Sequence, residues 1–559
     1  MEKKNFFHII FIIIFLILIS INEIKTFKCG ADKLKIKPKE LKLNKTYYKK
    51  ISKEVKDTSY TPIKIGMDYT SFSKPSSMSN DTFNKVKNLI SETVEEFQKF
   101  IQIQHVNIDL NGFESTIKED CEVEQISSDY RNFLINYDVI VFPSFTDEYD
   151  SSVLAAAGAC LTNSMDLNRY RPIAGVLLIN QIFSFDKKNT DIYMKNILLH
   201  EITHILVFNT YLLDDLEMIT KINSTSYVTS ANVLSKAKQH FNCESIIGIP
   251  LEDQGGIGVA GTHWESRYML GDYMISTDYL ESVISEITLA LFEDTGFYKV
   301  NYYSGGLFKF GKKKGCEFFN KKCITNNQSI SEEFCIHTRE PMCTQSRTVK
   351  GNCGIFRYNE ESITIPSEYQ YFSQPNIGGF MPANFCPVAF ANTTSEEPEY
   401  YISSCSKGTS SLPSDYGEEI SENSFCFLSS LLPSSSSITQ DTTRSICYRV
   451  ECNSNNKQII VHVGSSTVTC PKGGGILSDL SGFKGSIICP KYTDICDFEN
   501  NVICNEMYDC LSKRVRTDSD SYNIDEESEE YINVRTPTSS YKKLNFNLMF
   551  LLYYLFYFL

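Results

Sequence analysis

The chain has 559 residues, 42% hydrophobic and 22% charged, with a formal net charge of −14. That length and composition suit a globular protein of two or three domains. The acidic balance argues against general nucleic-acid binding, which needs a basic surface, so no nucleic-acid partner is expected.

In chain order, Lys3 and Lys4 precede an almost wholly apolar run over 6–21, and polar Asn22 and Glu23 follow. This reads as a signal peptide over 1–26, with a signal anchor as the rival reading. Residues 28–56 hold eleven lysines and the isolated Cys29 without a long apolar pattern, which suits a propeptide over 27–59. A globular region begins near Thr61, and residues 63–67 alternate as a strand does. Phe83, Val86, Ile90, Val94, Phe97 and Ile101 recur at helical spacing and predict a helix over 81–102 after a cap at Asn80. Short runs rich in branched residues predict buried strands at 139–142 and 174–179. The second is expected at a sheet edge, where a substrate backbone can add as a further strand. A helix is predicted over 190–206, capped by Asn189 or Thr190. Residues 207–262 are less periodic and include a glycine-rich loop over 252–261. Another helix is predicted over 282–294, stopped by Gly296.

Beyond about residue 300 the chain changes character. Fifteen of its 19 cysteines lie between Cys316 and Cys510, irregularly spaced and with no CxxC pair. This predicts a disulfide framework made in an oxidising compartment, not a zinc ribbon. Without Cys29 eighteen cysteines remain, enough for nine bridges. Asn44, Asn80, Asn223, Asn327 and Asn392 each open an Asn-x-Ser/Thr acceptor site for glycosylation. Residues 513–543 are polar and acidic and read as a solvated stalk. Residues 548–559 are continuously apolar or aromatic. As a helix they reach only about 18 Å, against a hydrocarbon core of about 30 Å. Small Ser539 and Ser540 and a short polar spacer precede them, so 544–559 reads as a glycolipid-anchor signal. A tail-inserted hydrophobic end is the alternative, and both readings place the protein at a membrane.

The strongest chemical signal is His200-Glu201-Ile202-Thr203-His204. Residues four apart share a helix face, so both imidazoles can reach one metal ion at about 2.0–2.1 Å. Glu201, displaced around the helix, is placed to take a proton from the metal's water. Ile197, Leu198, Leu199, Ile202, Ile205 and Leu206 would bury this helix, where unpartnered His and Glu side chains are costly. Zinc needs a third protein ligand and an open position. His263, presented by the glycine-rich loop, is the first choice. His240, in a polar segment read as surface, and the carboxylates of Asp214, Asp215 and Glu217 are the rivals. His105, His337 and His462 have no motif around them and are expected to be structural.

With these segments in view, the sequence resembles leishmanolysin, a metzincin family of surface metalloproteases. Gly261-Thr262-His263-Trp264 is followed by Gly271-Asp272-Tyr273-Met274, an offset from third His to Met similar to the family's Met-turn. Asp294-Thr295-Gly296-Phe297-Tyr298, Asn384-Phe385-Cys386-Pro387-Val388 and the long insertion between the second and third His add to the resemblance, which spans about residues 60–510. It implies an α+β fold. A metzincin-like catalytic domain with a mixed sheet and active-site helix (60–206, then 207–300 with the third ligand and Met-turn) would precede a disulfide-rich, mostly loop and β, C-terminal domain (301–512). It further implies one catalytic Zn²⁺ on His200, His204 and His263, catalysis by Glu201, and support by Met274. Cys29 would be a cysteine switch in the propeptide, the location would be the cell surface, and proteins or peptides would be the substrates. A catalytically weak or inactive adhesion protein on the same scaffold is the alternative. One departure stands out. The family has Gly three residues after the second His, and here that residue is Val207. A β-branched residue resists positive φ, which puts the helix exit in doubt.

Overall fold

A mixed five-stranded sheet organises the N-terminal half. Its strands are β1 (Lys39–Glu40), β2 (Ile65–Met67), β3 (Val139–Thr146), β4 (Ala155–Asp166) and β5 (Arg169–Asn180), in spatial order β1-β4-β5-β3-β2. Strands β2, β3 and β5 run parallel, and β4 runs antiparallel to β5. The branched runs at 139–142 and 174–179 are buried on both faces, as parallel strands covered by helices must be. The computed structural model describes residues 59–496, apart from 106–112, 131–135, 149–152, 167–168, 182–189, 255–259, 278, 280, 306, 359–362, 391–402, 411, 413–415, 439–441 and 479; it also describes 39–40 and 507. All fall in one compact unit, 1–515. The expected signal peptide, stalk and hydrophobic tail lie outside the described residues, as do Cys29, Asn44, Asn392 and most of the expected propeptide.

Three sequence expectations need correction. The first helix, α1 (Asn80–Phe97), stops well before residue 102, and its cap is Ser79, whose hydroxyl accepts from Thr82 N–H at 3.0 Å. Ile101 kept the apolar rhythm for another reason. With Ile103 it forms the inward positions of a short strand, Ile101–Ile103, paired with Tyr298–Val300. The segment 174–179 is not a sheet edge, because β5 is paired along both sides, with β4 and β3. The strand nearer the edge is β4, and Lys39–Glu40 pairs only with its Leu161–Thr162 portion. The helix expected from 282 begins later, as α4 (Glu286–Asp294), because Ser285 caps it through Thr288 N–H. Gly296 ends it at φ +75°.

Helix α2 (Thr190–Leu206) packs on β4, β5 and α1. Leu198, Leu199, Ile202, Ile205 and Leu206 are fully buried, each stabilising by about 1.5–3 kcal/mol relative to exposure. Helix α3 (Ala231–Phe241) lies against α4 and ends at Asn242 in the left-handed conformation.

The C-terminal half is held by disulfides and by a six-stranded antiparallel sheet. Its strands are β6 (Ser424–Ser429), β7 (Arg444–Asn453), β8 (Gln458–Val463), β9 (Ser466–Cys470), β10 (Gly475–Ser478) and β11 (Ser486–Cys489), in order β9-β8-β7-β6-β11-β10. Ile459, Val461 and Val463 alternate inward, giving the sheet its own core with Phe425, Phe427 and Tyr448. Six bridges lie within this half: Cys323–Cys386, Cys335–Cys353, Cys343–Cys426, Cys405–Cys447, Cys452–Cys496 and Cys470–Cys489. Cys121–Cys160 fastens β4, and Cys243–Cys316 joins the end of α3 to the start of the cysteine-rich region. Cys504 and Cys510, needed for a ninth bridge, lie outside the described residues.

Candidate metal centre

Helix α2 places His200 and His204 one turn apart on the same face. The ring nitrogen Nδ1 of His200 donates to the Tyr273 carbonyl at 2.6 Å, and that of His204 donates to the Phe208 carbonyl at 2.8 Å. A carbonyl can only accept, so each ring carries its proton on Nδ1 and a lone pair on Nε2. Those lone pairs face one another. Nε2 of His200 lies 3.0 Å from Nε2 of His204 and 3.2 Å from Nε2 of His263. Burial pushes His200 down to about 4 against the hydrogen bond to Tyr273. Burial and the neighbouring His200 push His204 down to about 3. Both rings are therefore neutral at pH 7. Converging lone pairs repel unless a cation sits between them. Two ligands bound to one tetrahedral ion at about 2.0–2.1 Å stand about 3.3–3.4 Å apart, so the three imidazoles suit a zinc-sized ion.

The third imidazole arrives on a folded-back loop. Gly261 has φ +86°, a conformation that favours glycine. Its N–H donates to the Glu252 carbonyl, and Glu252 N–H donates to the His263 carbonyl at 2.9 Å. Trp264, the only tryptophan of the chain, donates from its backbone to the Met274 carbonyl at 3.0 Å. The indole Nε1 donates to Thr288 Oγ1 at 2.8 Å, and that hydroxyl donates to Asp272 Oδ2 at 2.8 Å. Asp272 Oδ1 accepts from Met274 N–H at 2.8 Å. One buried carboxylate thus ties the third-ligand segment, α4 and the turn whose Tyr273 carbonyl fixes His200. The residue was in view in the sequence, but nothing there joins it to Thr288, sixteen positions away.

Glu201 is buried and, with His200, lines a cleft shared by Leu154, Ala155, Ile275, Thr277, Tyr279 and Glu281. A second carboxylate group, Glu252, Asp253 and Glu265, gathers where the two ends of the third-ligand loop meet. Burial, opposed by a hydrogen bond from Gln254 N–H, pushes Glu252 up to about 8, and burial also raises Glu265. This group is absent from the sequence reading because Glu265 follows Glu252 and Asp253 by thirteen and twelve residues along an aperiodic stretch.

The rivals for third ligand stand elsewhere. Asp214, Asp215 and Glu217 are exposed. His240 is half-buried, not free on the surface: it stacks on Phe308, and its Nε2 donates to the Phe310 carbonyl at 2.8 Å. His105 pairs with Asp138. Met274 is fully buried.

Val207 does not block the helix exit, because the exit does not use positive φ there. The N–H groups of Val207 and Phe208 both donate to the Thr203 carbonyl, widening the last turn, and Asn209 then caps the next helix, Thr210–Asp215. This wide turn also carries the Phe208 carbonyl onto His204. Val207 itself is fully buried. Val207→Gly is therefore expected to destabilise the protein by about 2–3 kcal/mol, measured by denaturant unfolding; a more stable variant would show that the exit is strained.

Comparison with known proteins agrees with this architecture. A sequence model of the family described as leishmanolysin matches residues 80–502. The chain is 28% identical over 363 residues to a leishmanolysin homolog of Crithidia fasciculata, covering 62% of this chain and 53% of that protein. It is 26% identical over 446 residues to leishmanolysin of Leishmania major, covering 74% and 68%. It is 29% identical over 313 residues to a leishmanolysin-like peptidase of Drosophila melanogaster, covering 48% and 44%. The chain spans about half the length of the first of these relatives.

Proposed function

Since the chain belongs to the leishmanolysin family, we propose that it is a zinc-dependent endopeptidase that hydrolyses peptide bonds of proteins at the cell surface or outside the cell. The observation that carries the reading is the convergence of three imidazole Nε2 atoms beside buried Glu201. His200, His204 and His263 would hold one zinc ion, which would polarise the scissile carbonyl and acidify water. Glu201 takes the proton of the attacking water and returns it to the leaving amine. The carbonyls of Tyr273 and Phe208 keep the two helix imidazoles in the ligating tautomer. Met274 supports the site from within the buried turn. The substrate backbone adds along the start of β4, where Ala155 borders the cleft and 155–159, among the described residues, pair only with β5.

Cys29 would serve as a switch, its thiol available as a competing ligand for the metal until the 27–59 segment is removed. A signal peptide and a lipid or hydrophobic anchor place the enzyme at the membrane, on the division of the chain set out above. Exposed Asn80, Asn223 and Asn327 accept glycans.

The test is zinc content together with peptide hydrolysis by the processed protein. One zinc per chain is expected, with hydrolysis lost to a chelator and restored by zinc. Stoichiometric zinc without hydrolysis, after confirmed removal of the segment holding Cys29, would overturn the protease reading in favour of adhesion on the same scaffold.

A further inference from the structure

Each helix imidazole is held by a main-chain carbonyl, but the two holds differ in range. The carbonyl that His204 meets belongs to Phe208, four positions on at the exit of the same helix. The one that His200 meets belongs to Tyr273, 73 positions away, on the turn that contains Met274. The hold on His200 is therefore only as good as the docking of that turn against α2. Apolar burial alone is non-directional and does not fix where along the helix the turn sits.

Tyr273 meets α2 a second time, through its side chain. The Thr203 hydroxyl donates to the Leu199 carbonyl at 2.8 Å, within the helix. Its proton is thus committed, and the Tyr273 phenol, 3.0 Å away, donates to Thr203 Oγ1. Residues three apart share a helix face. The carbonyl and the phenol of one tyrosine therefore grip α2 at two points about one turn apart, His200 and Thr203. Both side chains are enclosed: Thr203 is fully buried and Tyr273 is 4% exposed. The Tyr273 N–H supplies a third fixed point, donating to the Val283 carbonyl at 2.9 Å.

We infer that Tyr273 is a positioning residue for the metal: its phenol, bonded to Thr203, sets the register of the 272–274 turn on α2, and with it the carbonyl that keeps the His200 proton on Nδ1. The inference rests on the metal-binding part of the reading above and not on peptide hydrolysis. When the link is cut, the turn keeps its apolar packing but loses its directional hold. The carbonyl then drifts from Nδ1. The His200 ring is released to turn, or to carry its proton on Nε2, where it cannot ligate.

The experiment measures zinc affinity of the processed protein by competition with a chelating dye, beside urea unfolding of the metal-free protein. Tyr273→Phe and Thr203→Val are each expected to weaken zinc binding about tenfold or more. Both remove the same link, so the double variant is expected to bind zinc no more weakly than the weaker single variant. Thr203→Ser, which keeps the hydroxyl, is expected to retain the affinity of the unaltered protein. A pair with a merely structural role would lower the unfolding midpoint in the single variants and leave their zinc affinity unchanged, which would overturn the inference. Additive losses in the double variant would overturn it as well, because the two residues would then act separately. If Tyr273→Phe does not fold, the contrast between Thr203→Val and Thr203→Ser decides. Absence of zinc from the unaltered protein would overturn the metal reading itself, whereas zinc bound equally by the unaltered protein and the variants would remove only this inference.

Discussion

Glu201→Gln is expected to slow peptide hydrolysis by about 10²- to 10⁴-fold while zinc content stays at one per chain. The amide keeps the size and the hydrogen-bonding capacity of the carboxylate but cannot take a proton. Glu201 is buried in the wall of α2, flanked by residues that hold the sheet, so an isosteric change should leave the fold intact. The three imidazoles are held by Tyr273, Phe208 and the loop at His263, none of which depends on Glu201. Metal binding and turnover should therefore separate. Elemental analysis and a fluorogenic peptide assay on the same preparation check both. Normal turnover by the variant would remove Glu201 from the mechanism, and loss of zinc would make it part of the metal site.

Asp272→Ala should produce the second large effect, on stability and metal affinity together. Burial pushes Asp272 up to about 6, opposed by hydrogen bonds from Ser285, Met274 and Thr288. Alanine relieves the cost of burying that carboxylate but strands the Met274 and Ser285 N–H groups and the Thr288 hydroxyl. A net loss of about 2–4 kcal/mol is expected. The turn that presents the Tyr273 carbonyl to His200 then loosens, and zinc affinity should fall about 10- to 100-fold, as it does when outer partners of metal ligands are removed. Asp272→Asn retains an acceptor for Met274 and should fall between. Urea unfolding with and without zinc, and competition with a chelating dye, measure the two quantities. Wild-type zinc affinity in a destabilised Asp272→Ala would show that the turn holds its shape without the carboxylate.

What the sequence disclosed and what it hid follow from the range of the interactions involved. Helix α2 was legible because its cause is local: four-residue spacing of histidines on an apolar helix. The helix at 81–97 was legible in its face but not in its end. Ile101 and Ile103 point inward as a strand, and a period of two cannot be told from a period of 3.6 over three residues. Strand β4 was not foreseen at all. Its first half, Ala155-Ala156-Ala157-Gly158-Ala159, lacks the branched and aromatic residues that mark strands. Small residues are tolerated there because the helix packs close: a Cβ at Gly175, on the neighbouring strand, would lie 2.5 Å from the Ile205 side chain of α2. The third ligand could be ranked but not located from residues alone, since its geometry depends on pairing between 250–252 and 263–265. Val207 misled for a related reason. Whether a position needs glycine depends on its φ, and a wide final turn let this helix end without positive φ at Val207.

The Cys243–Cys316 bridge gives the molecule a particular tolerance to being cut. His200 and His204 precede the bridged segment, and His263 lies inside it. A single backbone nick between 244 and 262 would leave two of the imidazoles on one fragment and the third on the other. The bridge keeps both fragments one covalent molecule, so reassembly is intramolecular and the local concentration of the missing imidazole stays high. A protein nicked there would migrate as two pieces only under reducing conditions, and its three-imidazole group would be lost less to the cut than to a reductant that follows it.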